Sequence, residues 1–99
     1  MKGHVDLLLL ATLRQGPLHG YGIVERLRDE SDGTFDLAEG TVYPALYRLE
    51  RAGLLASRWT RAEGRRRRVY RLTRRGRAEL DRERKEWKSF ANAIESVLT

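Results

Sequence analysis

Apolar positions along this chain recur with three different spacings, and each spacing predicts a different kind of element. Over residues 4 to 14, Val5 and the run Leu7-Leu8-Leu9-Leu10 surround a helical axis, which predicts a core helix ended by Gly16-Pro17. Over residues 19 to 31, Ile23, Val24 and Leu27 form one stripe while Glu25, Arg26, Arg28, Asp29 and Glu30 face water; Ser31-Asp32-Gly33 stops this helix. Over residues 39 to 52, Val42, Ala45, Leu46 and Leu49 lie on one face, and Gly53 takes the C-cap position. Thr41, Pro44, Tyr47, Arg48 and Arg51 decorate the opposite face, with Pro44 expected in or near the first turn, where a missing N–H is tolerated. The pattern then shortens. Residues 55 to 60 and 67 to 72 read as two strands joined through residues 61 to 66, with Gly64 as the turn residue. Arg68, Tyr70 and Leu72 share one face of the second strand, and Arg67, Val69 and Arg71 the other. From Thr73 onward a helix runs to the C-terminus. Its apolar seam, Leu80, Trp87, Phe90, Ile94 and Val97, keeps heptad spacing with Glu83 at the one missing position.

Helix, helix, helix, hairpin, long helix is the order of a winged helix-turn-helix: mainly α with a small β-hairpin. The second and third helices form the helix-turn-helix, and the hairpin is the wing. Residues 1–73 are expected to form this DNA-binding unit and residues 74–99 a dimerisation helix. The last helix would overhang so small a core, so its seam needs a partner, and the nearest candidate is a second copy of the chain.

Charge sharpens this picture. The 99 residues carry 20 Lys and Arg against 14 Asp and Glu, a net charge of +6, and 17 of the 20 are arginine. Arginine offers a planar fork suited to phosphates and guanine edges. A small basic domain points first to nucleic acid, then to an anionic membrane surface, then to an acidic protein. The arginines concentrate in GRRRRVYRLTRRGR, residues 64–77, where Val69, Tyr70 and Leu72 mark a folded element and not a loose tail. Arg65, Arg66 and Arg67 at the hairpin tip are therefore candidates for phosphate or minor-groove contact, against the blander reading of a solvated turn. Arg68 shares a face with Tyr70 and Leu72 and is read as structural.

On the third helix Thr41, Tyr43, Pro44, Tyr47 and Arg48 are candidates for the major groove, with Arg48 suited to hold a guanine. Gly40 and Thr41 at the helix start offer backbone N–H groups to a phosphate. The competing reading packs Tyr43 and Tyr47 into the domain and pairs Arg48 with Glu50 or Glu39. Tyr21, between Gly20 and Gly22, is read as a phosphate donor or as a cap on the core.

Three passages resemble the PadR-type transcriptional regulators: GPLHGYGI at 16–23, EGTVYPALYRLERAGL at 39–54, and residues 64–80 of the wing and the Leu-Thr junction. The middle passage is the most specific, and the short C-terminal helix resembles the compact subgroup. The resemblance implies a bacterial or archaeal homodimer that binds a pseudo-palindromic operator and usually represses. In some compact members the last helix pairs across the dimer and a tryptophan stacks on flat aromatic drugs. Trp87 falls at the matching position, so Trp87 and Phe90 are either ligand-lining or ordinary interface core, the latter being commoner for aromatics at heptad spacing.

No enzyme is expected. The sequence has no cysteine, and His4 and His19 stand apart from each other and from carboxylates at ligand spacing, so no metal or other cofactor is implied. There is no phosphate loop, Ser-His-Asp set or paired-carboxylate motif. The apolar run at 5–11 is short, carries Asp6 and lacks a cleavage site, so it reads as a core helix and not a targeting segment or membrane span. A cytoplasmic location follows. Two other functions compete with the operator-binding regulator: a drug or metabolite sensor acting through a pocket near Trp87, and a protein that coats any nucleic acid, which the patterned third helix disfavours.

Overall fold

Seven elements follow one another in the computed structural model, which describes residues 4–99. They are α1 (His4–Thr12), β1 (Leu18–His19), α2 (Gly20–Glu30), α3 (Glu39–Arg51), β2 (Leu55–Ala62), β3 (Arg65–Leu72) and α4 (Arg74–Leu98). The core lies where α1, α2 and α3 meet the base of the sheet. Leu9, Leu10, Ile23, Val42, Leu46 and Leu55 are completely or almost completely buried there. These are the stripes expected from the helical spacing, and α1 is a core helix as its leucines require.

The sheet has three strands in the order β1-β3-β2, all antiparallel. Strand β1 was not expected; it pairs Leu18 with Tyr70 and His19 with Val69, and its two residues are too few to show a period. The hairpin is tighter than expected. Glu63 and Gly64 both have positive φ, 52° and 75°, and alone connect Ala62 to its partner Arg65. Positive φ at both turn residues is the geometry that follows the twist of the flanking strands, so both strands extend to the tip.

Two glycines fix how the wing and α4 join the helices. Gly53, at φ +81°, ends α3: its N–H bonds the Glu50 carbonyl and the Leu54 N–H bonds the Leu49 carbonyl, both at 3.0 Å. Gly76 is buried in the first turn of α4, where a Cβ would stand 1.9 Å from the Leu54 carbonyl oxygen. Thr73 caps α4, accepting from the Gly76 N–H at 3.0 Å and donating its hydroxyl to the Gly53 carbonyl at 2.7 Å.

Two expectations need correction. Pro44 lies beyond the first turn, inside α3, so the Gly40 carbonyl lacks the amide that would otherwise bond it. Leu80 is not part of an exposed seam: it is 2% exposed and belongs to the protomer's own core, one side of which α4 closes. Heptad spacing cannot separate these roles, because the same helical face first meets its own head and then runs past it. The packing of the winged unit thus continues to Leu80, beyond the boundary expected at residue 73. Trp87, Phe90, Ile94 and Val97 lie past that point and are exposed.

Glu83 marks the transition. It is half-buried, and burial first, then the neighbouring Glu79, hold its carboxyl above the usual range. Asp6 and Glu86 push the same way, while Arg82 opposes them. A carboxyl that ionises less readily when folded favours the fold below its unfolded pKa, and that contribution is lost as pH rises through the folded value. Glu83→Gln is therefore expected to raise the melting temperature by a few degrees near neutral pH. The gain should vanish at about pH 3.5, below the ordinary glutamate value. A constant gain at both pH values would refute this origin.

Candidate nucleic-acid interface

The exposed face of α3 is organised in three stripes. Gly40, Pro44, Tyr47 and Arg51 follow one another at helical spacing down its centre, directly opposite the buried Val42, Ala45, Leu46 and Leu49. Thr41 and Arg48 form one flank, and Tyr43 and Glu50 the other. Arg51 belongs to the central stripe, where its guanidinium lies 5.7 Å from the Tyr47 ring centroid and donates to the Tyr47 hydroxyl at 3.3 Å.

Arg48 has a partner that sequence reasoning did not find. Its two terminal nitrogens donate to both oxygens of Asp6 on α1, at 2.8 and 3.0 Å. Neither Glu50 nor Glu39 takes this role. The fork still has unused N–H groups, and the side chain is 60% exposed. Glu50 instead accepts from the Ser57 hydroxyl at 2.6 Å and pairs with Arg68 at 3.5 Å, which fastens α3 to the wing.

Tyr43 leans across to α2. Its ring occupies the space that a side chain at Gly20 would need, with a Cβ there only 2.4 Å from the ring. This close approach explains a glycine at the start of α2. Burial, then Glu39, raises the Tyr43 pKa, so its hydroxyl keeps its proton at neutral pH and remains a donor. Tyr21 is half-exposed beside it.

Between this corner and the wing runs a cleft of about 480 Å³. Tyr21, Tyr43, Arg65, Arg66 and Arg67 all line it, together with Arg68, Trp59 and the single acid Glu39. Five of the expected site residues thus converge on one concavity. Trp59 is the member that the sequence did not single out. It pairs with Arg68 across the hairpin, and the guanidinium groups of Arg66 and Arg68 lie 4.6 and 5.4 Å from its ring centroid.

The other aromatic cluster is remote from this end. Trp87 meets His4 edge-on at 5.4 Å and lines an open apolar groove of about 440 Å³ with Leu7, Leu8 and Ala11 of α1. Phe90 stands one turn on, its ring 6.0 Å from that of Trp87. Among the described residues no group of three or more His, Cys, Asp or Glu could hold a metal ion, and no helix is long and apolar enough to cross a membrane.

Three helices, a decorated third helix and a basic hairpin beside it define a winged helix-turn-helix protein of the DNA-binding class. Residues 9–82 match the Transcriptional regulator PadR-like family, and the chain belongs to that family, whose members are transcriptional regulators and not enzymes. The chain is 37% identical over 93 residues to the transcriptional regulator Rv3488 of Mycobacterium tuberculosis, covering 94% of this chain and 84% of that protein. A transcriptional regulator from Clostridium thermocellum matches its fold with a TM-score of 0.87 at 32% identity, over 96% of this chain and 93% of the other. Bacillus subtilis PadR in complex with operator DNA matches with a TM-score of 0.72 at 28% identity, over 79% of this chain and 45% of that one.

Proposed function

We propose that this protein is a cytoplasmic homodimeric repressor that binds a pseudo-palindromic operator. In this reading α3 enters the major groove with Thr41, Tyr43, Pro44, Tyr47 and Arg48 toward the bases, and Arg51 joins them. Arg65, Arg66 and Arg67 grip the flanking backbone, and Tyr21 donates to a phosphate. The observation that carries it is the convergence of Tyr43 of α3, Tyr21 and the wing arginines on one open cleft. The operator-bound relative supports it.

Dimerisation through α4 is supported by the exposed stripe of Trp87, Phe90, Ile94 and Val97, which a monomer leaves in water. A helix of 25 residues, about 37 Å long at the usual rise, has the reach to set two heads one turn of DNA apart. A flat aromatic ligand against Trp87 and Phe90 would release the operator by favouring another spacing of the heads. It must bind the two spacings unequally to do so. The alternative, in which ligand sensing near Trp87 is the main activity, draws on the open groove beside that residue. Quenching of Trp87 fluorescence by flat aromatic compounds in a Trp59→Phe background tests the ligand role.

The decisive experiment measures binding to the DNA upstream of the protein's own gene against a shuffled duplex at near-physiological salt, backed by selection from a random pool. A regulator should prefer its site by ~10³-fold or more. Equal affinity for every duplex after selection would refute sequence-specific regulation.

Gly40 offers a sharper local test. A Cβ there would meet nothing within 4 Å, so the protomer itself has no packing need for glycine. Alanine in a helix is worth about 0.5–1 kcal/mol over glycine. Gly40→Ala is therefore expected to stabilise the fold by about that amount while weakening operator binding, because the added methyl stands where the DNA backbone approaches. If affinity is unchanged, the N-terminus of α3 does not touch DNA.

A further inference from the structure

Four consecutive arginines on a hairpin repel one another, and strands as exposed as these leave long side chains free to wander. The wing contains a device that opposes both effects. Strand alternation puts Arg66 and Arg68 on one face and Arg65 and Arg67 on the other. On the first face stands Trp59, directly opposite Arg68. A tryptophan that is 54% exposed contributes little to the core, yet its ring lies against two guanidinium groups, Arg66 at 4.6 Å and Arg68 at 5.4 Å. A π face attracts cations, and indole does so best of the aromatic side chains.

Arg68 is held from its other side as well. Its Nε donates to the Ser57 hydroxyl at 2.9 Å, and a terminal nitrogen pairs with Glu50 at 3.5 Å. Ser57 in turn donates to Glu50. The chain of contacts therefore runs from α3 through Glu50, Ser57 and Arg68 to Trp59 and Arg66.

We propose that Trp59 is the positioning residue of the wing: its ring fixes Arg66 relative to Arg68, and the Arg68–Ser57–Glu50 contacts register that pair on the third helix. The wing and the reading helix then meet DNA as one rigid unit. Arg66 is the gripping member and Arg68 the anchor, which divides the arginine run by role. Part of the entropy lost when Arg66 takes a phosphate is already spent in the free protein. This inference rests on the DNA-binding reading above.

The test uses the full-length chain and a labelled duplex that the wild-type protein selects from a random pool. Trp59→Leu keeps apolar bulk and removes the π face; Trp59→Phe keeps a smaller one. Trp59→Leu is expected to weaken binding about tenfold, and Trp59→Phe much less. In an Arg66→Ala background the same Leu change should cost no more than about twofold, because Trp59 acts through the missing arginine. Equal losses in both backgrounds would mean that the indole touches DNA itself and would overturn the proposal, as would no loss at all. A check that needs no variant is the NMR spectrum of the free protein, where the Arg66 side-chain protons should carry ring-current shifts; random-coil positions would overturn it too. If the wild-type chain selects and binds no duplex, the DNA reading fails and takes this inference with it. If the wild type binds and Trp59→Leu binds as well, this inference alone fails.

Discussion

Gly76→Ala is expected to lower the stability of the folded chain by about 3 kcal/mol or more. The added Cβ would lie 1.9 Å from the Leu54 carbonyl oxygen, a backbone atom that cannot swing aside like a side chain. That carbonyl also accepts the Thr73 N–H at 3.1 Å, and Thr73 caps α4 while donating to Gly53. Moving any one of these groups disturbs the cap of α4, the end of α3 and the strand between them. Domains of this size have total stabilities of roughly 5–15 kcal/mol, so the loss is a large fraction of the whole. In thermal melts at matched protein concentration, the midpoint should fall by more than about 10 °C. Gly40→Ala is the natural control, since the same chemical change there meets open space. If Gly76→Ala melted within a few degrees of wild type, the head and α4 would not be joined as tightly as these contacts require.

Gly76 also shows where the sequence was legible and where it was not. The helices could be read because burial imposes a period, and the period survives in the order of Val42, Ala45, Leu46 and Leu49. The wing could be read because an arginine run interrupted by Val69, Tyr70 and Leu72 demands a folded face. What a period cannot carry is the identity of the partner. Leu80 and Trp87 occupy one heptad seam, yet the first closes the protomer's own core and the second lies 45% exposed. Asp6 and Arg48 are 42 positions apart and meet only because α1 crosses α3. The place of Trp59 depends on the register of the hairpin. With the turn placed loosely over 61–66 its cross-strand partner is undefined; with the two-residue turn at Glu63-Gly64, Arg68 falls opposite it at once.

Removing Arg65, Arg66 and Arg67 together and removing Arg48 alone should weaken DNA binding in different ways. The three wing arginines are proposed to hold phosphates, which are alike in every duplex. Replacing all three with alanine should therefore reduce affinity for operator and shuffled DNA alike, by about 10² or more at near-physiological salt. The plot of log affinity against log salt should become shallower by about 2–3 for each protomer engaged, since each phosphate contact contributes a slope of about 0.9. Arg48 is proposed to read a base edge. Its bond to Asp6 leaves unused donors and holds the plane of the fork, so less freedom is lost on contact. Arg48→Ala should cost roughly 1–3 kcal/mol on the operator and little on the shuffled duplex, so the preference narrows by about 5- to 150-fold while the salt slope changes by at most about one. The variant should fold, because an exposed ion pair such as Asp6–Arg48 is worth about 0–1 kcal/mol. Asp6→Asn tests what the acid does for Arg48. If Asp6 serves to aim Arg48, losing its charge should blunt the preference and raise affinity for every duplex, since one acid leaves a surface that faces phosphates. Should Arg48→Ala reduce operator and shuffled binding equally, Arg48 is a brace between α1 and α3, and the reading falls to the central stripe of Pro44, Tyr47 and Arg51.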